Sequence, residues 1–172
     1  MESDELLEMS RDTEGSSRLI GVTMAVTAAF LAMVTLMGHR LHTEEVVMQT
    51  KAADQWAYYQ AKNNRSHMYE NDSKLAELTG AVASAPVVAA WKKKSEEERG
   101  QADSIRHDAE ELDRDTERTA RRANFFDIAE ICLEVGIVLS SIALLTKSSR
   151  YWLLGFVPSG IGLIVAVYGL LR

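Results

Sequence analysis

The sequence lacks the residues on which most catalytic and metal-binding motifs depend. It has one cysteine, Cys132, so the chain can form neither an internal disulfide nor a thiolate metal cluster. It contains no glycine-rich phosphate loop, no pairing of a nucleophile with a base and no Cys/His cluster. His39 and His42 are three residues apart, but no zinc signature surrounds them. We therefore expect no enzyme activity, no bound metal and no cofactor.

Residues that break helices are also scarce. Neither proline nor glycine occurs between residues 39 and 78, and a helix through this segment would be about 60 Å long. A second polar segment of similar length, residues 87–123, follows Gly80, Ser84 and Pro86, which are typical of one helix end and the next helix start. The sequence predicts an antiparallel, coiled-coil-like helical hairpin over residues 39–124, with its turn near 80–86.

Three apolar blocks interrupt this polar composition. Residues 19–38, 125–145 and 151–171 are each about 20 residues long, enough to cross about 30 Å of hydrocarbon. The predicted fold class is an all-α membrane protein, with three transmembrane helices and the hairpin between the first and second. Residues 1–18 form an acidic tail, and we expect Gly15–Ser17 to break the chain before the first span.

Charge narrows the possible partners. The net charge of −6 argues against nucleic acid. The distribution of Lys and Arg beside the spans favours a hairpin in the cytoplasm, whereas the basic loop at residues 147–150 favours the opposite orientation. Four arginines precede the second span and are either anchors for anionic lipid headgroups or partners of nearby acids. They are Arg114, Arg118, Arg121 and Arg122.

A spacing of three and four residues runs through the second arm and into the second span. It predicts a face packed against another helix. The positions are Ala102, Ile105, Ala109, Leu112, Thr116, Thr119, Ala123, Phe126, Glu130, Leu133, Ile137, Ser140 and Leu144. On the first arm we expect the matching face to follow Ala57, Met68, Leu75 and Leu78, with Ala57 near Ala109.

Small residues form stripes on the first and third spans. Such stripes allow helix backbones to approach closely in lipid, and together they exceed what one hairpin would bury. We therefore expect a homo-oligomer within the lipid bilayer. The stripe residues are Gly21, Ala25, Ala28 and Ala32 on the first span, and Gly155, Ser159, Gly162, Ala166 and Gly169 on the third.

The run from Ala53 to Lys62, which includes Trp56, Tyr58, Tyr59 and Gln60, resembles the signature of an uncharacterised bacterial membrane family, domain of unknown function 4337. The resemblance extends over the first span and the pair of spans at 125–171. It implies a three-span membrane protein with a helical insertion and implies no reaction. From the residues themselves, the three aromatics are either a ligand-binding surface, a protein-docking patch or, more often, a cover for a helix seam.

Three acidic residues in the second span give the strongest functional signal. Asp127, Glu130 and Glu134 lie on one helical face, and Glu134 is about 13 Å along the span. A carboxylate at that depth must be neutralised, paired or hydrated, so the row indicates an ion pathway or a set of locks between helices. As partners for locking we expect His39, Arg40 or Tyr168, which reach similar depth.

These observations favour an oligomeric membrane scaffold or interaction protein that projects a helical stalk. A homo-oligomeric cation or proton conduit through the acidic row is the alternative. A third interpretation is an accessory subunit of a larger membrane complex, in contact with a chain of different sequence.

Overall fold

A computed structural model describes the backbone of residues 2–78 and 85–171, and the side chains of those residues except 2–14 and 16. Within these ranges the chain forms three helices and no strand: α1, Glu2–Leu78; α2, Ala85–Thr146; and α3, Ser149–Leu171. Most of the predicted turn, residues 79–84, lies outside the described part. The predicted break at Gly15–Ser17 is wrong, because α1 continues through it. One glycine costs a helix only about 1 kcal/mol, which the surrounding helix formers offset.

Each helix contains a segment apolar enough to cross a membrane. The most apolar 18-residue windows have mean hydropathies of 2.2 in α1, 2.2 in α2 and 2.0 in α3. Large apolar side chains cover the outside of these segments, including Phe30, Leu36, Ile131 and Ile164. The coarse fold class is therefore confirmed: the described chain is all-helical, and three helices could span a bilayer by length and composition.

The chain packs as two units. The three-helix unit comprises Met1–Thr43 and Thr119–Arg172, and the two-helix unit comprises Glu44–Arg118. All three helices contribute buried apolar residues to the core of the three-helix unit. Those residues are Val34 and Leu41 of α1, Ala123, Phe126, Ala129 and Leu133 of α2, and Ala166 of α3.

Small residues bring α3 against α2 within the same chain. A Cβ added at Gly162 would lie 2.9 Å from the Ala129 carbonyl oxygen, and one added at Gly155 would lie 3.0 Å from the Gly136 carbonyl oxygen. Gly155, Gly162, Ala166 and Gly169 are buried, and Ser159 is half-buried. The α3 stripe therefore packs helices as expected, but its partner is α2, so it does not need a second copy.

The two-helix unit is antiparallel. Ser66 Oγ donates to the Ser95 carbonyl and Ser95 Oγ donates to the Ser66 carbonyl, at 2.9 and 3.0 Å. Earlier in α1, Trp56 Nε1 donates to Asp113 Oδ2 at 2.9 Å, later in α2. Later residues of α1 thus meet earlier residues of α2, as the predicted hairpin requires.

The predicted face of α2 is buried or half-buried from Ala102 to Ser140 but exposed at Leu144, and the predicted face of α1 is wrong. Ala102, Ala109, Thr119, Ala123, Phe126 and Leu133 are all buried. On α1, however, Ala57, Met68 and Leu75 are exposed. The side facing α2 instead carries Ala52, Lys62, Ser66 and Ser73, all buried. Serine hydroxyls that bond to backbone carbonyls allow the helices to approach closely, so this contact does not require an apolar stripe.

The α2–α3 connection is a tight turn. Lys147 has a positive φ of 50°, and the Ser148 amide donates to the Ala143 carbonyl at 3.2 Å. The hydrogen bond closes a six-residue turn, and Lys147 within it has a left-handed conformation, as in a Schellman-type helix end. It reverses the chain so that α3 can return along α2.

Candidate functional site

The acidic row lies on α2 in the three-helix unit, along the edge that faces α1. Asp127 and Glu130 are half-buried and Glu134 is exposed. Their spacing of three and four residues follows one side of the helix, beside the buried positions Phe126 and Leu133. The structure therefore brings all three predicted residues onto one edge, where their surroundings differ.

Asp127 contacts a histidine of α1. His42 Nε2 lies 3.1 Å from each of the two carboxylate oxygens of Asp127. Gly38 is close by, since a Cβ there would lie 3.7 Å from Asp127 Oδ1 and 3.5 Å from Phe126 Cβ. Gly38 thus lies where the two helices approach, and a methyl group there would make only ordinary van der Waals contacts.

Glu130 has a hydroxyl partner on α1. Thr35 Oγ1 donates to Glu130 Oε1 at 2.8 Å. Thr35 and His42 are seven residues apart on α1, which places them on one side of that helix, two turns apart. The first two carboxylates therefore hold α1 and α2 together by polar contacts.

Thr35 and His42, rather than the expected His39 and Arg40, contact the acidic row. His39 and Arg40 are exposed, and Tyr168 packs its ring edge-on against Phe125 at 5.2 Å between centroids. The reason lies in the rotation of α1. Gly38 and Leu41 are the buried positions of this part of α1, so Thr35 and His42 lie at the edge of the contact with α2. His39 and Arg40 point away from α2.

Glu134 differs from the other two acids. It is exposed, and it has no hydrogen-bond or ion-pair partner among residues 17–78 and 85–171. Its neighbours Ile131, Val135 and Val138 are exposed and apolar. An ionised carboxylate in such a surface requires water or a partner beyond these residues, because an isolated charge in hydrocarbon is costly.

The chemistry of the row is acid–base and hydrogen-bonding chemistry. The described residues contain no group of three His, Cys, Asp or Glu side chains arranged to hold a metal ion. His42 can hydrogen-bond to Asp127, and Glu134 can exchange hydrogen bonds at the outer surface. Both capacities are compatible with a lock between helices and with a proton path.

The signature residues occupy both sides of α1. Trp56, Tyr59 and Lys62 lie towards α2, and the Trp56 and Tyr59 rings meet edge-on at 5.7 Å. Lys62 Nζ donates to Gln101 Oε1 at 2.6 Å and pairs with Glu98 Oε2 at 3.0 Å. Tyr58 and Gln60 are exposed. The signature therefore contributes to the seam of the two-helix unit and also to its surface.

Sequence reasoning missed Thr35, His42 and a contact between α1 and α3. Trp152 Nε1 donates to Thr23 Oγ1 at 3.0 Å. A signal was present for the first two, because the predicted pairing of Ala57 with Ala109, extended along both helices, places Thr35 and His42 opposite residues close to Glu130 and Asp127. Nothing in the local sequence distinguishes the Trp152 contact.

Among the arginines before the second span, Arg118 donates to Asp115 Oδ1 at 3.1 Å, one turn earlier. That contact fits the pairing interpretation for this residue. Arg122 is half-buried, and its Nε is buried without a hydrogen-bond partner among the described residues.

The fold and the acidic row define an all-α protein with three membrane-competent helices and polar contacts inside an apolar unit. The sequence profile of the family described as domain of unknown function (DUF4337) matches residues 16–172, so the chain belongs to this family. Comparisons with curated proteins and with solved structures find no match.

Proposed function

We propose that this chain is an oligomeric, non-catalytic scaffold protein of a bacterial inner membrane. In this proposal α1, α2 and α3 each cross the bilayer, and residues 44–118 lie in water. Apolar windows in all three helices support the crossings. Charged side chains on the exposed surface of the two-helix unit, such as Lys93, Glu97, Arg106 and Glu110, support its place in water.

The proposed oligomeric assembly rests on one observation. The small-residue stripe of α1, Gly21, Ala25, Ala28 and Ala32, is exposed, whereas the α3 stripe is packed on α2. In lipid, small residues contribute by allowing another helix to approach, and lipid tails gain little from them. An exposed stripe of this kind supports contact with a further transmembrane helix, and another copy of the chain supplies one.

The mass of the purified protein tests the proposal. In detergent, light scattering with subtraction of the micelle should give a multiple of the 19.1 kDa protomer. The variant Ala28→Leu should shift the mass towards one protomer, because the larger side chain separates the backbones. Met33→Leu, at a large exposed position of the same helix, serves as the matched control. A wild-type mass of 19.1 kDa contradicts the proposal.

The second candidate function is a cation or proton conduit. Glu134 favours it, because an acidic side chain at the exposed surface of an apolar segment is suited to line a path between protomers. The test is proton flux into liposomes that contain wild-type protein or Glu134→Gln, with Glu97→Gln in the two-helix unit as control. Loss of flux in Glu134→Gln alone supports a conduit. Absent flux, or equal flux in all three, leaves the scaffold.

The orientation and partners belong to the same proposal. We place residues 44–118 in the cytoplasm and the four arginines that precede the second span near anionic headgroups, with no nucleic acid involved. The variant His107→Cys, made with Cys132→Ser, introduces one exposed thiol in the two-helix unit. A membrane-impermeant maleimide should label it in open vesicles and spare it in intact cells. Co-purification of a non-identical chain would indicate an accessory subunit instead.

A further inference from the structure

On the side of α1 that faces away from α2 in the two-helix unit, a stripe of ten positions carries no charged residue, and the exposed Asp54, Arg65 and Asp72 lie along one of its flanks. We call its ten positions the outer stripe, and all of them are exposed. They are Val46, Thr50, Ala53, Ala57, Ala61, Asn64, Met68, Asn71, Leu75 and Leu78.

Helical geometry places the outer stripe opposite the seam. Ala57 precedes the buried Ser66 by about two and a half turns, so the two point in opposite directions. The outward positions of α2 in the same unit are charged and exposed, and include Lys93, Glu97 and Glu111. The uncharged face is therefore specific to α1 and is not a general property of the unit.

In the two-helix unit, the side of α1 that packs on α2 is polar, and the opposite, exposed side is largely apolar. Two helices that pair in isolation would have the opposite arrangement. The covered side holds Lys62 and Ser66, at 9% and 1% exposure. The outer stripe holds Met68 and Leu75, each 62% exposed, and Val46 at 60%. An uncharged stripe at three- and four-residue spacing is the pattern of a helix that packs against another helix.

We infer that the outer stripe is the contact surface for α1 of a second copy of this chain, lying parallel to the first. The inference rests on the proposed membrane scaffold and adds its surface and partner. Copies inserted into one membrane share an orientation, so their α1 helices run in the same direction. A two-fold axis between them brings each stripe position opposite itself.

Two features of the stripe favour a copy of this chain over another occupant. Asn64 and Asn71 interrupt an otherwise largely apolar pattern, and a parallel copy pairs each amide with its own counterpart, which fixes register. The flanks are also complementary. Asp72 lies on one flank and Lys74 on the other, and two-fold packing sets one flank of each helix against the opposite flank of its copy.

Cysteine cross-linking of the full-length protein in membranes tests this inference. We use a Cys132→Ser background and introduce Ala57→Cys or Asn71→Cys on the outer stripe. His107→Cys, exposed on the outward side of α2, is the matched control. Mild oxidation should give at least about tenfold more disulfide-linked dimer for the stripe variants than for the control, because a thiol held against its own copy has a high effective concentration. Ala53→Cys provides a second position should Ala57→Cys express poorly.

The results separate this inference from the proposed function. Dimers at both Ala57→Cys and Asn71→Cys, well separated along α1, support parallel contact. Dimer yields equal to that of His107→Cys, with an oligomeric mass in detergent, overturn the inference and leave the scaffold. Cross-linking of the stripe to a non-identical chain also overturns it. A protomer mass together with control-level cross-linking overturns both.

Discussion

Hydroxyl side chains inside the apolar helices form two kinds of hydrogen bond at the residue scale. Most hydroxyls bond to their own helix, as Thr27 Oγ1 does to the Thr23 carbonyl and Ser159 Oγ does to the Gly155 carbonyl. Such bonds remove the cost of a hydroxyl in lipid without linking helices. Thr35 differs because its hydroxyl reaches Glu130 on α2.

This difference predicts unequal effects of two identical substitutions. Thr35→Val should lower the free energy of unfolding in detergent by about 0.6–1.7 kcal/mol, the range of hydrogen bonds between membrane helices. Thr27→Val removes only a bond within one helix and should change stability much less. Unfolding in mixed micelles, followed by circular dichroism, measures both. Equal losses would show that the Thr35–Glu130 bond does not hold the helices.

The glycines of α3 allow a second matched pair. A methyl group at Gly162 would meet the Ala129 carbonyl oxygen at 2.9 Å, while one at Gly160 would meet no atom within 4 Å. Gly162→Ala should therefore destabilise the three-helix unit by about 1–3 kcal/mol through overpacking. Gly160→Ala should be neutral or slightly stabilising, since alanine is the better helix former. The same unfolding assay measures the stability of both variants. An unchanged free energy of unfolding in Gly162→Ala would contradict the α2–α3 contact.

Glu70 predicts a pH effect in the two-helix unit. A hydrogen bond from Lys74, 2.7 Å long, and the charge of that lysine lower the pKa of the Glu70 carboxyl below its ordinary value. Because the folded pKa is lowered, the stabilisation is present above the unfolded pKa and is lost as pH falls through the folded pKa. Lys74→Gln should raise the Glu70 pKa in a carbon-13 NMR titration, and Lys92→Gln, whose partner is Glu77, should leave it unchanged.

At the scale of elements, periodicity identified one face of α2 and the wrong face of α1. Along α2 the buried positions Ala102, Ala109 and Leu133 are the small and apolar ones, so hydrophobic spacing finds them. In the two-helix unit, two sides of α1 could have packed on α2, and the more apolar one, with Ala57 and Leu75, is exposed. Hydrophobicity cannot rank a polar, tightly packed seam above it.

The same limit applies to the acidic row. Its residues were predictable because charge inside an apolar block is conspicuous in any sequence. Their partners Thr35 and His42 depend on the rotation of α1 about its axis, which a shift of one residue changes by about 100°. Only the packed structure fixes that angle.

Buried charge at the centre of the two-helix seam gives a prediction for this element. The Lys62 and Glu98 side chains are 11% and 17% exposed and lie 3.0 Å apart. Lys62→Met should cost about 1–3 kcal/mol, because it leaves a largely buried carboxylate without its main partner. The double variant Lys62→Met/Glu98→Met should recover most of that loss.

A double-mutant cycle on the full-length protein measures the coupling, with hydrogen exchange of amides near residues 60–66 and 95–101 as the local readout. The exposed pair Lys92–Glu77, 56% and 48% exposed, is the control. Its coupling should be below about 1 kcal/mol. Similar couplings for the two pairs would contradict the role of Lys62 in the seam.

At the scale of the whole molecule, the exposed faces of α1 determine how the protein can assemble. Within the chain, α3 packs on α2 and the polar row joins α2 to α1. The stripe at Gly21–Ala32 and the outer stripe remain outside these contacts. Both of these exposed stripes belong to α1, and both favour assembly of the chain with further copies.

The most direct test of assembly is a count of subunits in a lipid bilayer. The protein carries one fluorophore on His107→Cys, with Cys132→Ser, and is reconstituted at low density so that chance co-localisation is rare. Stepwise photobleaching of single particles should show two or more steps, after correction for incomplete labelling. A population that bleaches in one step would contradict the assembly of this chain with its own copies.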